Sequence, residues 1–496
     1  MPVVGIPTER LRSLLGTEVS RDELITHLGH LGCDVEGYTE LTRVGCARCE
    51  TVYEMTESEE IPPLCDACGA DLREDYRELP SLEVVRMELL AVRPDMFDPG
   101  GLARVLRGYL SVELGAPEYE VGPMAARLTI DPAVRRPESF RPHIACAVIE
   151  NVQLDTDTLK ILMKLQENLH WAIGRDRKHA SIGVYDMDTV ESELVYTVED
   201  PETFRFAPLG AAGTGDEHAV CLREILEEHP KGVAYAHLLK DHARYPMLKD
   251  KNGRVLSMPP IINSEDTKVT ISSQKLFVDV TGLGRRVVDR TLNIMVSSLL
   301  ENLPEAKLRG VEMLGPNDGE ERITPDFSMQ EMTVLPENAA RTLGIEVSQE
   351  SALELLRRMR HNAEPQGADR VVVQVPAYRN DILHEIDLTE DLAIAYGYHR
   401  ITPTLVPTFT VGTERREQVL ADKMRTALCG LGFQEVMTLV LTSPEIHNDA
   451  LGRARQENVE LSSCCSTSVV SVLKSVACSS TSSFPMLRPS TSFRLR

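Results

Sequence analysis

The first 150 residues of this 496-residue chain contain no lysine, and arginine alone supplies their basic charge. Basic residues are short throughout: 53 Lys and Arg stand against 76 Asp and Glu, a formal net charge of −23. A surface that acidic repels phosphates and is no continuous nucleic-acid platform, although a local basic patch remains allowed. An acidic, lysine-poor composition fits a salt-rich cell interior, where repulsion is screened, and a GC-rich genome equally favours Arg over Lys. Long apolar runs are missing too, and nothing approaches the roughly 18 residues of a membrane span. The opening MPVVGIPTERLRSLLG has no apolar h-region, so the expectation is a cytoplasmic protein that does not engage membranes. Nucleotide fingerprints are also absent: there is no G-x-x-x-x-G-K-[ST] and no strand-following G-x-G-x-x-G.

Length and cysteines say what is present. A chain of 496 residues exceeds one core, and about three to four domains are expected. Eleven cysteines in a cytosolic chain read as thiols and a metal site, not as a disulfide framework. The segment CARCETVYEMTESEEIPPLCDAC holds Cys46-x-x-Cys49, then Cys65-x-x-Cys68. Each knuckle points two thiolates at one ion, and two knuckles complete a tetrahedral zinc site with no position left for a catalytic water. The spacing predicts a structural zinc, with chance pairing or a redox pair as the plainer alternatives.

The pattern along the chain predicts an α+β, multidomain protein with a small zinc-ribbon-like insertion in its N-terminal domain. Residues 1–120 form that domain, with two short helices, the second started by Ser20 with Glu23 three positions on, and with the cysteine insertion at 44–75. A larger mixed region runs over 121–320. It includes strands at HIACAVIENVQL, SIGVYDMDTV, KVTIS and KLFVDVTG, and a helix capped near Asp155 or Asp157 that carries His170 and Trp171 toward the core. On the strand KLFVDVTG, Asp279 and Thr281 project to one face and Leu276, Val278 and Val280 to the other. The basic cluster GRDRKHA at 174–180 reads as a solvated turn or as a phosphate contact. A third region covers 321–402, and a fourth starts at 403 and runs to 461. From Ser462 to Arg496 there is no Asp, Glu or Gly, and Ser is about a third of the residues. The tail reads either as disordered and Ser-rich or, as preferred here, as the product of a changed reading frame.

The stretch YRNDILHEIDLTEDLAIAYGYHR at 378–400 sets Asp381, Asp387, Glu390 and Asp391 close together. With a helix from Leu388 and Asp387 as its N-cap, Glu390 is N3, and Asp387, Glu390 and Asp391 share one face. Three readings are open: a capped helix start, an acid/base pair, or carboxylates relieved of mutual repulsion by a hard cation.

Several stretches together resemble the archaeal/eukaryotic-type phenylalanyl-tRNA synthetase beta-subunit family: RPDMFDPGGLARVLRGYL, KHASIGVYDMDTV, RYPMLKDKNGRVLSMPPIINSEDTKVT, KLFVDVTG and YRNDILHEIDLTEDLAIAYGY. The resemblance covers about 1–461 and implies a ligase subunit. Its partner is a catalytic alpha subunit in an α2β2 assembly, which joins phenylalanine to tRNA(Phe) with ATP, so ATP and phenylalanine act through alpha. It implies tRNA binding and hydrolysis of misacylated Tyr-tRNA(Phe), with 121–320 as an editing domain of the B3/B4 type and 321–402 as a B5-type domain. It also implies that 403–461 begins a catalytic-like core domain. Leu248, Ser257, Asp279 and Thr281 fall in the implied editing pocket, and Asp381, Asp387, Glu390 and Asp391 fall on magnesium ligands. The cysteine insertion departs from the general family pattern. Two other classes stand beside this reading: a free-standing tRNA-editing hydrolase, and a zinc-ribbon RNA-binding or interaction protein.

Overall fold

The computed structural model describes residues 3–452 except 49–50, 57–58, 66–69, 89–90, 137–140, 212, 316–320, 407, 438–440, 444–448 and 451, and beyond 452 only 468–469 and 476–478. Met1–Thr402 form one compact unit and Pro403–Arg496 another.

The chain opens with β1 (Val3–Pro7), α1 (Thr8–Leu15), α2 (Arg21–His30), β2 (Asp34–Cys46), β3 (Val52–Met55) and β4 (Tyr76–Glu88). Ser20 Oγ accepts the Glu23 N–H, and the Glu23 carboxylate accepts the Ser20 N–H in return, so α2 begins with the capping box its sequence predicts. The four strands make an antiparallel sheet in the order β1-β4-β2-β3. β2 and β4 are 13 residues each because their pairing continues beyond the main core into the cysteine-bearing arm. In that arm Cys46, Cys65, Ala70 and Leu72 make a small apolar cluster, and the Tyr53 hydroxyl lies 3.3 Å from Cys65 Sγ. Cys49 and Cys68 lie outside the described residues. Among the described residues no group of three or more His, Cys, Asp or Glu is gathered as for a metal. The mixed helix-and-strand, multidomain character is therefore as expected, while the described residues display no zinc ribbon.

Asp98 caps α3 (Pro99–Tyr109), its carboxylate accepting the Gly100 N–H at 2.9 Å and the Gly101 N–H at 3.3 Å. A Cβ on Gly101 would collide with the Asp95 carbonyl, which explains a glycine at the tight start of this helix.

A ten-stranded sheet follows. Its elements are β5 (Gly122–Ile130), β6 (His143–Glu150), α4 (Thr156–Trp171), β7 (Ala180–Asp186), β8 (Glu193–Glu199), β9 (Arg205–Phe206), β10 (Val220–Cys221), α5 (Leu222–Glu228), α6 (Pro230–Tyr235), β11 (Tyr245–Asp250), β12 (Val255–Met258), β13 (Ile262–Asn263), β14 (Leu276–Gly282), α7 (Arg285–Asn302), β15 (Lys307–Leu314) and β16 (Arg322–Thr324). The order is β13-β12-β11-β8-β5-β15-β6-β14-β7, with β16 also on β15, while β9 and β10 pair apart. β5 runs parallel to β15 and β8; the other pairs are antiparallel. One face packs on α7, α4 and α3, and the other encloses a second apolar cluster around Phe277, Tyr196 and Leu248.

Two local expectations need correction. KVTIS is a loop, not a strand, because Thr270 and Ser273 bond each other's side chains and backbone, which competes with a ladder. His170 is buried and accepts the Ile182 N–H, but Trp171 next to it is 49% exposed, since neighbouring helix positions point about 100° apart.

The cysteine arm rests on α4: Arg43 pairs with Asp157, Lys164 pairs with Glu54, and Lys160 Nζ donates to the Val52 carbonyl at 2.8 Å.

The third region contains β17 (Gln330–Val334), α8 (Pro336–Leu343), α9 (Gln349–Arg358), β18 (Asn362–Gln366), β19 (Arg370–Val375) and α10 (Glu385–Tyr396), with a sheet ordered β17-β19-β18. Arg104 lies 3.7 Å over the Tyr378 ring, and Arg358 donates to the Tyr109 carbonyl at 2.8 Å, so α3 holds this region from one side. The main apolar core includes Met359, Tyr378 and Ala395 together with α3 and α7 and runs across positions 120 and 320.

In the second unit the expected helix is α11 (Arg416–Gly430), followed by a strand at Phe433–Glu435. From the Ser-rich tail only Ser468–Val469 and Val476–Cys478 are described, as short strands paired with Leu441–Thr442 and Phe433–Glu435.

Candidate functional site

β14 alternates as its sequence predicts. Leu276, Val278 and Val280 join the core under α7, and Phe277 joins the opposite cluster on the face that Asp279 and Thr281 share. In register, Asp279 lies opposite Gly183 of β7 and Cys146 of β6, and Thr281 lies opposite Ser181. Leu248 and Ser257 are partners on β11 and β12, far along the sheet from β14.

Curling of the sheet brings these ends together. The Tyr185 hydroxyl of β7 lies 2.7 Å from Ser257 Oγ of β12, and Asn263 Nδ2 of β13 donates to the Val184 carbonyl at 3.3 Å. The first and last strands of the order thus meet, and their inward side chains share one enclosed space. The Tyr185 hydroxyl also lies 2.5 Å from Asp279 Oδ1. A phenol has one proton, so it donates to the carboxylate and accepts from Ser257.

Burial pushes the Asp279 carboxyl up to about 7, although the Tyr185 hydrogen bond and the Arg141 charge pull the other way. Thr281 is held differently. Buried Arg141 donates from Nε to Thr281 Oγ1 at 3.1 Å and from Nη2 to the Thr281 carbonyl at 2.5 Å and to Ser181 Oγ at 3.2 Å. Burial also raises the Cys146 thiol well above its usual range, so it supplies no thiolate. Sequence reasoning missed Tyr185, Ser181 and Arg141. The alternation of SIGVYD carried the first two, because residues 181, 183 and 185 share a face on any strand. Nothing local marks Arg141.

The basic turn after α4 divides. Arg175 and Lys178 are exposed, while Arg177 is buried and donates to the Ile261 carbonyl at 2.9 Å and to Glu167 at 2.8 Å.

The acidic stretch is arranged otherwise than its spacing suggests. α10 begins at Glu385, so Asp387 is not the N-cap but N3, and its carboxylate reaches back to accept the Leu383 and His384 N–H groups, each at 2.7 Å. Asp381 takes two hydrogen bonds from Arg379, at 2.9 Å and 2.7 Å. Asp391 Oδ2 lies 2.8 Å from Arg379 Nη2 and 2.7 Å from His361 Nε2, with all three side chains buried. Glu390 is exposed. Burial alone would raise Asp381 and Asp391, but Arg379 and Arg93 outweigh it and hold Asp381 far below the usual carboxylate range, while Arg379 and His361 lower Asp391. As placed, these carboxylates do not fit a magnesium ion held in common, because Asp381 and Asp391 are committed to a guanidinium and Asp387 to backbone. His361 is the convergent histidine that the sequence did not reveal.

The chain is similar to several known proteins. Residues 332–398 match the family model of the tRNA synthetase B5 domain, and 401–475 match the phenylalanyl tRNA synthetase beta chain CLM domain. A phenylalanine–tRNA ligase beta subunit of Methanothrix thermoacetophila is 39% identical over 383 residues, 77% of this chain and 69% of the relative. That of Methanosphaera stadtmanae is 35% identical over 459 residues, 92% of this chain and 72% of the relative. A crystal structure of an N-terminal fragment of the phenylalanyl-tRNA synthetase beta subunit from Pyrococcus horikoshii superimposes with a TM-score of 0.66 at 30% identity, over 80% of this chain and 99% of that one. The chain therefore belongs to the phenylalanine–tRNA ligase beta-subunit family.

Proposed function

We propose that the chain works with a catalytic alpha subunit, in an α2β2 assembly in the cytoplasm, to attach phenylalanine to tRNA(Phe) with ATP. Its own pocket hydrolyses Tyr-tRNA(Phe) formed by mistake. Membership of a ligase beta-subunit family supports the first part. Among the described residues no helix is long and apolar enough to cross a membrane.

One observation carries the editing reading: Ser257 and Asp279 already bind a tyrosine hydroxyl, that of Tyr185. A site built to hydrogen-bond a phenol disfavours the analogue without one, because its buried polar groups are left unpaired. In the reaction a water oxygen bonds to the ester carbonyl carbon, and the bond from that carbon to the ribose oxygen breaks. The water proton passes through a base to the departing ribose oxygen. Asp279 holds the phenol end of the substrate, a ring's length from the ester, so the nucleophile is a water held by Thr281 or by the tRNA itself. Thr281, clamped by Arg141, and Leu248 line the space around Asp279.

No step passes through a metal. Magnesium shared by Asp381, Asp387, Glu390 and Asp391 would require Arg379 to withdraw from two of them. A structural zinc on Cys46, Cys49, Cys65 and Cys68 is supported by the knuckle spacing and by the shared burial of Cys46 and Cys65.

The test has two readouts. The chain is expected to co-elute with an alpha subunit and restore phenylalanylation, and Asp279→Ala is expected to lose Tyr-tRNA discharge. Wild-type discharge by that variant would remove the editing assignment.

A further inference from the structure

We propose that Tyr185 is a gate that sets the threshold for entry to this pocket: its phenol fills the place of the substrate's phenol, and a tyrosyl group enters only by replacing it. The inference rests on the editing reading above. Tyr185 is 1% exposed, with its ring 6.1 Å from that of Phe277, and its hydroxyl engages both Asp279 and Ser257. Those are the two polar groups that the incoming tyrosyl hydroxyl needs. Space for the Tyr185 hydroxyl exists only because residue 183 is glycine; a Cβ there would collide with that hydroxyl and with Asp279 Oδ1. Leu248, Ser257, Asp279 and Thr281 are each buried while Tyr185 is in place. Two phenols cannot share one pair of partners in a filled space, so Tyr185 must leave for a substrate to enter.

Exchange then sets the cost of entry. A tyrosyl group returns both hydrogen bonds lost when Tyr185 swings away, so the exchange is nearly neutral. A phenylalanyl group returns neither and leaves the Asp279 carboxylate buried without its donor. The gate sets a threshold for both aminoacyl groups and shields the correct product, Phe-tRNA. It does not set the ratio between them, because the two bound complexes differ by the same amount whether or not Tyr185 has a hydroxyl to lose.

Steady-state discharge of Tyr-tRNA and Phe-tRNA by the full chain and by Tyr185→Phe tests this. The variant keeps the ring and removes the hydroxyl, so opening no longer costs hydrogen bonds. KM for Tyr-tRNA is expected to fall about tenfold or more, and kcat/KM for Phe-tRNA to rise by the same factor, with the Tyr-to-Phe ratio of kcat/KM unchanged. An unchanged or raised KM overturns the gate and leaves Tyr185 a structural residue. A wild-type chain that does not discharge Tyr-tRNA overturns the editing reading, and the gate with it, before any variant is compared. Should Tyr185→Phe fail to fold, 3-fluorotyrosine at position 185 of the otherwise unchanged chain gives a second readout. Its fluorine resonance is expected to move to a solvent-exposed position with an amide-linked 3′-tyrosyl-adenosine and to stay put with the phenylalanyl analogue. A resonance that does not move when the tyrosyl analogue is bound overturns the gate.

Discussion

His361 Nε2 meets Asp391 Oδ2 at 2.7 Å, with both side chains buried and Arg379 sharing the same carboxylate oxygen. The contact joins the start of β18 to α10 and closes an ionic cluster that continues through Arg379 to Asp381. His361→Ala removes a donor from a buried carboxylate and is expected to cost about 1.5–3 kcal/mol. Urea unfolding measures it, and a loss within experimental error of zero would show that Arg379 alone satisfies Asp391.

Arg379 occupies the carboxylate oxygens that a magnesium ion would need. Arg379→Gln removes the guanidinium from Asp381 and Asp391, and it is expected to lower stability while raising affinity for Mg²⁺. Calorimetric titration of the isolated chain with the ion alone decides. Equal, tight binding by the unchanged chain would mean that Arg379 yields without mutation.

Asp279 gives the protein a pH dependence of known sign. Burial pushes its folded carboxyl up to about 7, well above the ordinary aspartate value of about 3.9, so between those values the folded state holds a proton that the unfolded state has released. The contribution of this one carboxyl to stability is therefore fully present below about pH 4 and is lost as pH rises toward 7, by roughly 4 kcal/mol in all. Asp279→Asn is expected to flatten that window in denaturant titrations at several pH values.

The cysteine arm is expected to carry one zinc per chain, measurable by atomic absorption, and Cys46→Ser is expected to lose it. Because the arm reaches α4 through Lys160 and Lys164, chelation should raise amide exchange in β2 and β3 and leave β14 protected. Absence of bound metal in a chain purified without chelators would refute the site.

Crowding the pocket tests its packing. Gly183→Ala places a methyl group against the Tyr185 hydroxyl and Asp279, an overpacking expected to cost about 1–3 kcal/mol and to abolish Tyr-tRNA discharge. A variant with unchanged melting temperature and unchanged discharge would mean that this space is larger than the structure indicates.

Much of the architecture was legible because it depends on neighbours in the chain. Ser20 and Glu23 cap α2 from three residues apart, and β14 sorts Asp279 from Val278 by alternation alone. The YRNDILHEIDLTEDLAIAYGY stretch indicated the family, and its relatives bear that out. The same local logic misjudged the start of α10. Asp387 and Glu390 have capping spacing, but so do His384 and Asp387, and only the loop geometry selects between them.

The sequence by itself determined the family, the faces of β14 and the starts of α2 and α4, since these follow from spacing within a few residues. Only the tertiary structure decided that Tyr185 meets Ser257 72 residues away and Asp279 94 residues away, and that His361 meets Asp391. The first depends on a sheet curling until its end strands touch, the second on β7 pairing beside β14, and the third on a buried guanidinium drawing distant carboxylates together. All three are long-range effects with no period in the sequence.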